Sequence, residues 1–308
     1  MITSEIMQSL KSTVKSLAGS TPGEKPIYTG NGHQLPSVIA VRELNELMRR
    51  MLFPEFFDTN QSASAMRPFH IGVSIEKFYT LLEEQIAASL YFDRCREDCE
   101  DCRNCSIEAE ASRMALNVTS NLPEIKRKLL TDIRAIFHND PAVSNEAEVI
   151  FCYPSIQAMM YYRFANFLHG IKVPLLPRIL TEIAHSKTGI DIHPGATIGD
   201  YFSIDHGTGV VIGETCIIGK HVTIYQGVTL GAKNFSLDSN GHPINIPRHP
   251  IIEDNVTIYS NASVLGRITI GHDSIIGGNV WVTHNVPPHS RILQRTPRTD
   301  TFIDGAGI

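Results

Sequence analysis

The sequence predicts an α+β chain: a helical N-terminal domain over residues 1–188, then a left-handed parallel β-helix over residues 189–289. Two observations carry this. Apolar residues recur at three- and four-residue spacings through the first part, and at about residue 189 that spacing stops and a period of six begins. A third bounds the class. A chain of 308 residues, 42% hydrophobic and 19% charged, is ample for a packed core and is not the composition of a mostly disordered protein.

The helical elements follow in order. Residues 41–57 place Leu44, Leu47, Met48, Met51 and Leu52 on one helical face. Residues 73–92 do the same with Ile75, Phe78, Leu82, Ile86 and Leu90. Residues 120–140 open on a capping serine and a proline and repeat Ile125, Leu129, Ile133 and Ile136. Residues 156–170 end on Gly170, a common helix stop. Residues 21–36, rich in Gly and Pro, form a loop.

Counting sixes from Ile192 gives Ile198 and Ile204. After a two-residue slip the count resumes at Ile212, Ile218, Ile224 and Leu230, and after a polar loop at Ile252, Ile258, Val264, Ile270, Ile276 and Val282. All thirteen are aliphatic. Each hexad makes a short strand and a turn, three hexads make one triangular coil of about eighteen residues, and stacked coils share a continuous core. The interruption at 231–249 is polar, with Gly, Pro, Asn and Asp, and a long excursion from a rigid coil is more often functional than decorative. After residue 289 the hexads are gone, and residues 290–308 form a flexible tail.

Charge and composition exclude other classes. The net charge of −5 and pI near 6.2 leave no basic excess for nucleic acid or an anionic membrane. No apolar stretch reaches the ~18–20 residues of a membrane helix, and the N-terminus lacks a signal-peptide core, so a cytoplasmic protein is expected. Cys152 and Cys216 are isolated and expected in the core. Cys95, Cys99, Cys102 and Cys105 form a dense C-x3-C-x2-C-x2-C run, open between a metal or redox role and reduced thiols.

Chemistry-bearing residues cluster on the repeat domain: Asp191 and His193, Asp205 and His206, Arg248 and His249. Asp191 and His206 are fifteen residues apart, not far short of one coil, so stacking could bring them close. A carboxylate beside an imidazole fixes its tautomer and stabilises its protonated form, which makes a general base for an alcohol. Ser260 and Gly278 are eighteen apart and each sits two places after an inward aliphatic residue, so they should stack as a small-residue face of a narrow groove.

These segments resemble the serine O-acetyltransferase family. The likeness runs from about residue 125 to 290. It rests on DPA at 140–142, DIHPGATIG at 191–199, DHGTGVVIGET at 205–215, VTLG at 228–231, RHP at 248–250 and VPPH at 286–289. The resemblance implies an enzyme that transfers acetyl from acetyl-CoA to the hydroxyl of L-serine, for cysteine biosynthesis. It implies His206 as catalytic base with Asp191 as its orienting carboxylate, and Asp140, Asp205, Arg248 and His249 as serine-binding residues. Arg suits a substrate carboxylate and Asp an ammonium. Gly231, Ala232, Lys233, Ser260 and Gly278 would contact acetyl-CoA, a co-substrate, with no permanently bound cofactor and no metal. The chain departs from the family where GAKN and a long loop replace a short glycine-rich one. Further implications are inhibition by cysteine, a homotrimer or dimer of trimers, and a C-terminal Ile308 that enters O-acetylserine sulfhydrylase.

Three rivals remain. Another hexapeptide acyltransferase acting on a sugar or amine would not need Asp205 with Arg248. A metal-dependent carbonic anhydrase would need converging histidines among His193, His206, His221 and His249. A non-enzymatic solenoid gives no reason for the Asp–His ensemble.

Overall fold

The computed structural model describes residues 4–18, 34–57, 66–94, 106–234, 236–242 and 244–294. The cysteine run 95–105, the loop at 21–33 and the C-terminal Ile308 lie outside them. Helix α1 (Ser4–Ala18) buries none of its residues. Helices α2 (Val38–Leu52) and α3 (Pro54–Phe57) meet at Phe53, and α4 (Arg67–Arg94) packs on both α2 and α5 (Ile107–Asn139). Helix α6 (Glu146–Cys152) leads to α7 (Pro154–Gly170) and α8 (Leu176–Thr188), which pack on each other.

Several expectations need correction here. The helix expected over 41–57 stops at Leu52, because Pro54 disfavours helical backbone at Phe53 and instead starts α3. Pro123 does not open a helix: α5 begins at Ile107, directly after Ser106, and carries the proline in its interior. The buried face Ala111, Ala115, Val118 and Leu122 runs on to Ile125 and Leu129, and that burial offsets the roughly 3 kcal/mol an interior proline costs. Ile75 is 37% exposed, while Phe78, Leu82, Ile86 and Leu90 are in the core. Cys152 is exposed and Cys216 buried.

From Asp191 the chain winds as a parallel β-solenoid of about five turns with three faces. The first face stacks β1 (Asp191–Ile192), β4 (Val211–Ile212), β7 (Thr229–Gly231), β10 (Ser263–Leu265) and β13 (Trp281–Val282). The second stacks β2 (Thr197–Ile198), β5 (Ile217–Ile218), β8 (Ile251–Ile252) and β11 (Thr269–Ile270). The third stacks β3 (Ser203–Asp205), β6 (Thr223–Tyr225), β9 (Thr257–Ile258), β12 (Ile275–Ile276) and β14 (Arg291–Ile292). All thirteen hexad residues are buried, at 6% exposure or less. Ile276 pairs with Ile292, so the ladder runs three residues past the expected end at 289, through a shortened last coil.

Registers locate the irregularities. Asp205 pairs with Tyr225, twenty residues on, whereas Val211 pairs with Thr229, eighteen on. The two extra residues therefore lie between Asp205 and Val211. There His206, Gly207 and Gly209 take φ of 57°, 92° and 80°. A Cβ at Gly207 would stand 2.6 Å from Ile190 Cδ1, so glycine is required. The slip seen in the sequence is thus the bulge that sets out His206.

A buried ion pair docks the helices on the solenoid. Arg163 of α7 donates to Asp132 of α5 (2.9 and 3.1 Å) and to the carbonyls of Ile198 and Gly199 (both 2.6 Å). The backbone N–H of Phe202 adds a bond to Asp132. Removing either partner would leave an uncompensated buried charge.

Candidate active site

Two groups of polar side chains stand at opposite ends of the first solenoid face. The first is at the corner between β3 and β4. His206, 70% exposed on its left-handed bulge, faces Asp205 with Nδ1–Oδ1 of 3.8 Å. Asp140 caps the end of α5, whose last turn leans on β3. Its Oδ2 accepts the Tyr153 hydroxyl (2.6 Å) and its Oδ1 the N–H of Ala142 (2.8 Å). These bonds, helped by the nearby His206 ring, hold the Asp140 carboxyl below the usual carboxylate range, and the same bond pushes Tyr153 up to about 12. Tyr225, directly above Asp205 in register, stacks on Tyr259 at 4.9 Å. The result is an exposed imidazole that faces Asp205, with the Asp140 carboxylate near enough to feel its charge.

The second group is at the corner after β4, where the 231–249 loop returns. Arg248 donates from Nη2 to Glu214 (2.8 Å) and from Nη1 to Asn245 (2.9 Å), and its buried Nε has no partner among the described residues. His249, 7% exposed, accepts the Thr215 N–H at Nδ1 (3.1 Å) and lies 2.9 Å from the Thr215 hydroxyl. Burial, then the Arg248 charge, lower its pKa, so the ring is neutral with its proton on Nε2. The Thr215 hydroxyl also accepts the N–H groups of Arg248 and His249 (2.9 and 3.1 Å). Arg267 fastens the base of the loop through the carbonyls of Thr215 and His249 (2.7 and 2.9 Å). Below them His193 accepts the Gly195 N–H at Nδ1 (3.0 Å). Burial pushes its pKa down to about 4 against the attraction of Glu214, so it too is neutral.

Within one chain these groups do not meet. No hydrogen bond or ion pair among the described residues links Asp140, Asp205 or His206 to Arg248 or His249. The His249 ring fills the space beside Gly213, at the far end of β4, about 20 Å of chain from His206. Asp191 opens β1, and its carboxylate is grouped with Glu182 and His185 of α8, ligand atoms within 4.8 Å of one another. The ion pair that His206 makes is with Asp205, not Asp191.

The groove residues divide the same way. Ser260 and Gly278 stack directly: a Cβ on Gly278 would lie 3.1 Å from the Ser260 carbonyl, on the His206 corner. Gly231 ends β7 at the other corner, and Ala232 follows it. There Lys233 lines a cavity of about 280 Å³ with Arg248, Leu265, Gly266 and Arg267. Sequence reasoning did not single out Glu214, Thr215, Tyr153 or Arg267. The first two lie inside the 205–215 motif, where their neighbours drew attention; Tyr153 and Arg267 carry no local signal, because only packing brings them to the site.

Comparisons with known proteins address the family of the chain. The family described as "Bacterial transferase hexapeptide (six repeats)" matches residues 249–284, and "Hexapeptide repeat of succinyl-transferase" matches residues 209–233. A plasmid-borne serine acetyltransferase of Synechococcus elongatus is 44% identical over 294 residues, 95% of this chain and 92% of that protein. The Bacillus subtilis serine acetyltransferase is 44% identical over 167 residues, 54% of this chain and 73% of its own length. Among solved structures, Entamoeba histolytica serine acetyltransferase isoform 3, crystallised with cysteine, superposes with a TM-score of 0.71. It is 31% identical and covers 96% of this chain and 94% of its own. Soybean serine acetyltransferase complexed with serine gives a TM-score of 0.54 at 26% identity, over 83% of this chain and 98% of its own. A likeness of 44% across almost the full length of both sequences, on a hexapeptide solenoid carrying these polar corners, means that the chain is an acyltransferase and belongs to the serine acetyltransferase family.

Proposed function

We propose that the chain moves the acetyl group of acetyl-CoA to the hydroxyl of L-serine with His206 as general base. The observation that carries this is the His206 bulge, which holds an exposed imidazole against Asp205 with Asp140 nearby. The imidazole takes the serine hydroxyl proton as the oxygen attacks the thioester carbon. The C–S bond then breaks, and the imidazolium returns the proton to the leaving thiolate. Asp205 and Asp140 attract the substrate ammonium and stabilise the imidazolium, and a positioned base contributes about 10²–10⁴-fold. Asp191, at the head of β1, is the carboxylate proposed to orient the imidazole.

Arg248 supplies the carboxylate clamp through its unpaired Nε, with Glu214 fixing the guanidinium plane. His249 offers its Nε2 proton to the serine hydroxyl or the developing oxyanion. Because base and clamp occupy opposite ends of one face, a complete site needs two copies. This supports a trimer with sites between neighbouring solenoids. Acetyl-CoA would lie along Ser260 and Gly278 of one copy and Gly231, Ala232 and Lys233 of the next. Serine and cysteine differ by oxygen for sulfur, and relatives crystallise with each, so cysteine is proposed to inhibit by occupying the serine site. The tail ending in Ile308 is proposed to enter O-acetylserine sulfhydrylase, tested by titrating that enzyme with a peptide of residues 299–308 with and without Ile308.

Thiol release from acetyl-CoA with serine tests the reaction. His206→Ala should lose about 10²–10⁴-fold in kcat with the fold intact, since the ring is outside the aliphatic ladder. Turnover of serine at the wild-type rate by that variant would remove His206 from the mechanism.

A further inference from the structure

The corner between the second and third solenoid faces holds none of the residues placed in the active site, yet it gathers ligand-type side chains. One position per coil there is left-handed: Tyr201, His221, Asn255, Asp273 and His289, with φ between 56° and 60°. Successive residues of this column stand one above another on the ladder. Asp273 N–H bonds the Asp254 carbonyl (3.0 Å) and His289 N–H the His272 carbonyl (2.9 Å). The last two coils therefore present His272, Asp273 and His289 together on a rigid backbone. Both imidazoles turn Nδ1 toward one oxygen, Asp273 Oδ2, at 2.7 Å from His272 and 3.7 Å from His289. The two rings stand 4.9 Å apart at 87°, and the three ligand atoms all lie within 4.8 Å of one another. The other carboxylate oxygen is held by Asn255 Nδ2 (3.0 Å), and the His272 backbone is held by Glu253 (2.8 Å).

We propose that His272, Asp273 and His289 bind a divalent transition-metal cation of the zinc type and thereby clip the last coil of the solenoid to the one before it. Two imidazoles and a carboxylate are a borderline-soft donor set that suits zinc, cobalt or nickel rather than magnesium or calcium. Asn255 is the outer partner that fixes a ligating carboxylate. Each ring coordinates through Nδ1, and water completes the coordination on the solvent side. The clip has a mechanical purpose. The terminal coil is joined to the one before it by backbone bonds at Gly271, Ile275, Gly277, Val286 and His289, and among the described residues no strand pairs beyond β14, so the clip adds a side-chain tie at the open end of the ladder.

The test uses the full-length chain, stripped of metal by a chelator and kept reduced, titrated with Co²⁺ and then with Zn²⁺. Co²⁺ distinguishes this site from the cysteine run at 95–105, because thiolate ligands add an intense near-ultraviolet charge-transfer band that imidazole and carboxylate lack. The expected result is a Co²⁺ equivalent without that band, displaced by Zn²⁺. It should weaken tenfold or more in His289→Gln and, separately, in Asp273→Asn. Zn²⁺ at a hundredfold excess over its Kd should raise the thermal midpoint of the wild type by about 5 °C but not that of His289→Gln. Both substitutions are at the surface, and circular dichroism of the metal-free variants confirms that they fold. Metal binding unchanged in both variants, a spectrum of thiolate type only, or no binding at micromolar metal each overturns the proposal.

Discussion

Gly213→Ala separates the positioning of His249 from the stability of the coil. Gly213 has no positive φ, so alanine fits its backbone. Its Cβ, however, would stand 2.0 Å from His249 Cδ2 and 2.1 Å from Nε2. An ordinary contact is about 3.5–4.0 Å, so the ring must retreat by about 1.5–2 Å. It cannot do so and keep Nδ1 on the Thr215 N–H at 3.1 Å, a bond that contributes about 1 kcal/mol. Overpacking adds about 1–3 kcal/mol, and a shift of about 1 Å at a reacting group costs on the order of 10²-fold in rate. The expected outcome is a loss of about 10²-fold in kcat/KM for serine, with the KM for acetyl-CoA changed far less. Steady-state thiol release at varied serine measures it. The same substitution in a His249→Ala background has no ring to displace and should cost nothing further. Wild-type kcat/KM in Gly213→Ala, or an equal extra loss in the His249→Ala background, would refute the reasoning.

Arg248→Ala should raise the KM for serine by roughly tenfold or more and relieve cysteine inhibition in parallel; inhibition that persists at saturating serine would place cysteine elsewhere. For His193, whose folded pKa is depressed from 6.5 to about 4 by burial, the sign is fixed. Below pH 6.5 the unfolded chain takes up a proton that the folded ring refuses until about pH 4, so stability present above 6.5 is lost as pH falls through that window. Thermal midpoints between pH 7 and 4 should therefore fall less steeply in His193→Gln than in the wild type, and identical slopes would contradict the burial of that ring.

Much of this fold is local and hence legible in the sequence. A hexad residue is buried because it points inward at its own turn, whatever lies elsewhere in the chain. Ile192 to Val282 therefore announce the solenoid and even its slip. Helix limits were less legible. Whether Pro123 ends or interrupts a helix depends on the core against which Leu122 and Ile125 pack, which no local rule contains. Arg291 and Ile292 carry no hexad signal, because the final coil is two residues short, and only the pairing with β12 reveals them as a strand.

The candidate site divides along the same line. Residue types and the family resemblance picked out the side chains proposed to carry the chemistry: His206, Asp191, Asp205, Asp140, Arg248 and His249. Tertiary structure decided their company. The left-handed bulge turned His206 toward its neighbour Asp205, and the packing of α8 on β1 put Asp191 with Glu182 and His185. Packing of α5 and α7 on the solenoid brought Asp140 and Tyr153 to the bulge, and return of the 231–249 loop seated Arg248 on Glu214 and His249 on Gly213. The physical reason is range. Backbone geometry and inward burial are written residue by residue, whereas a contact across twenty or more residues of chain exists only once the coils have stacked and excluded water between them.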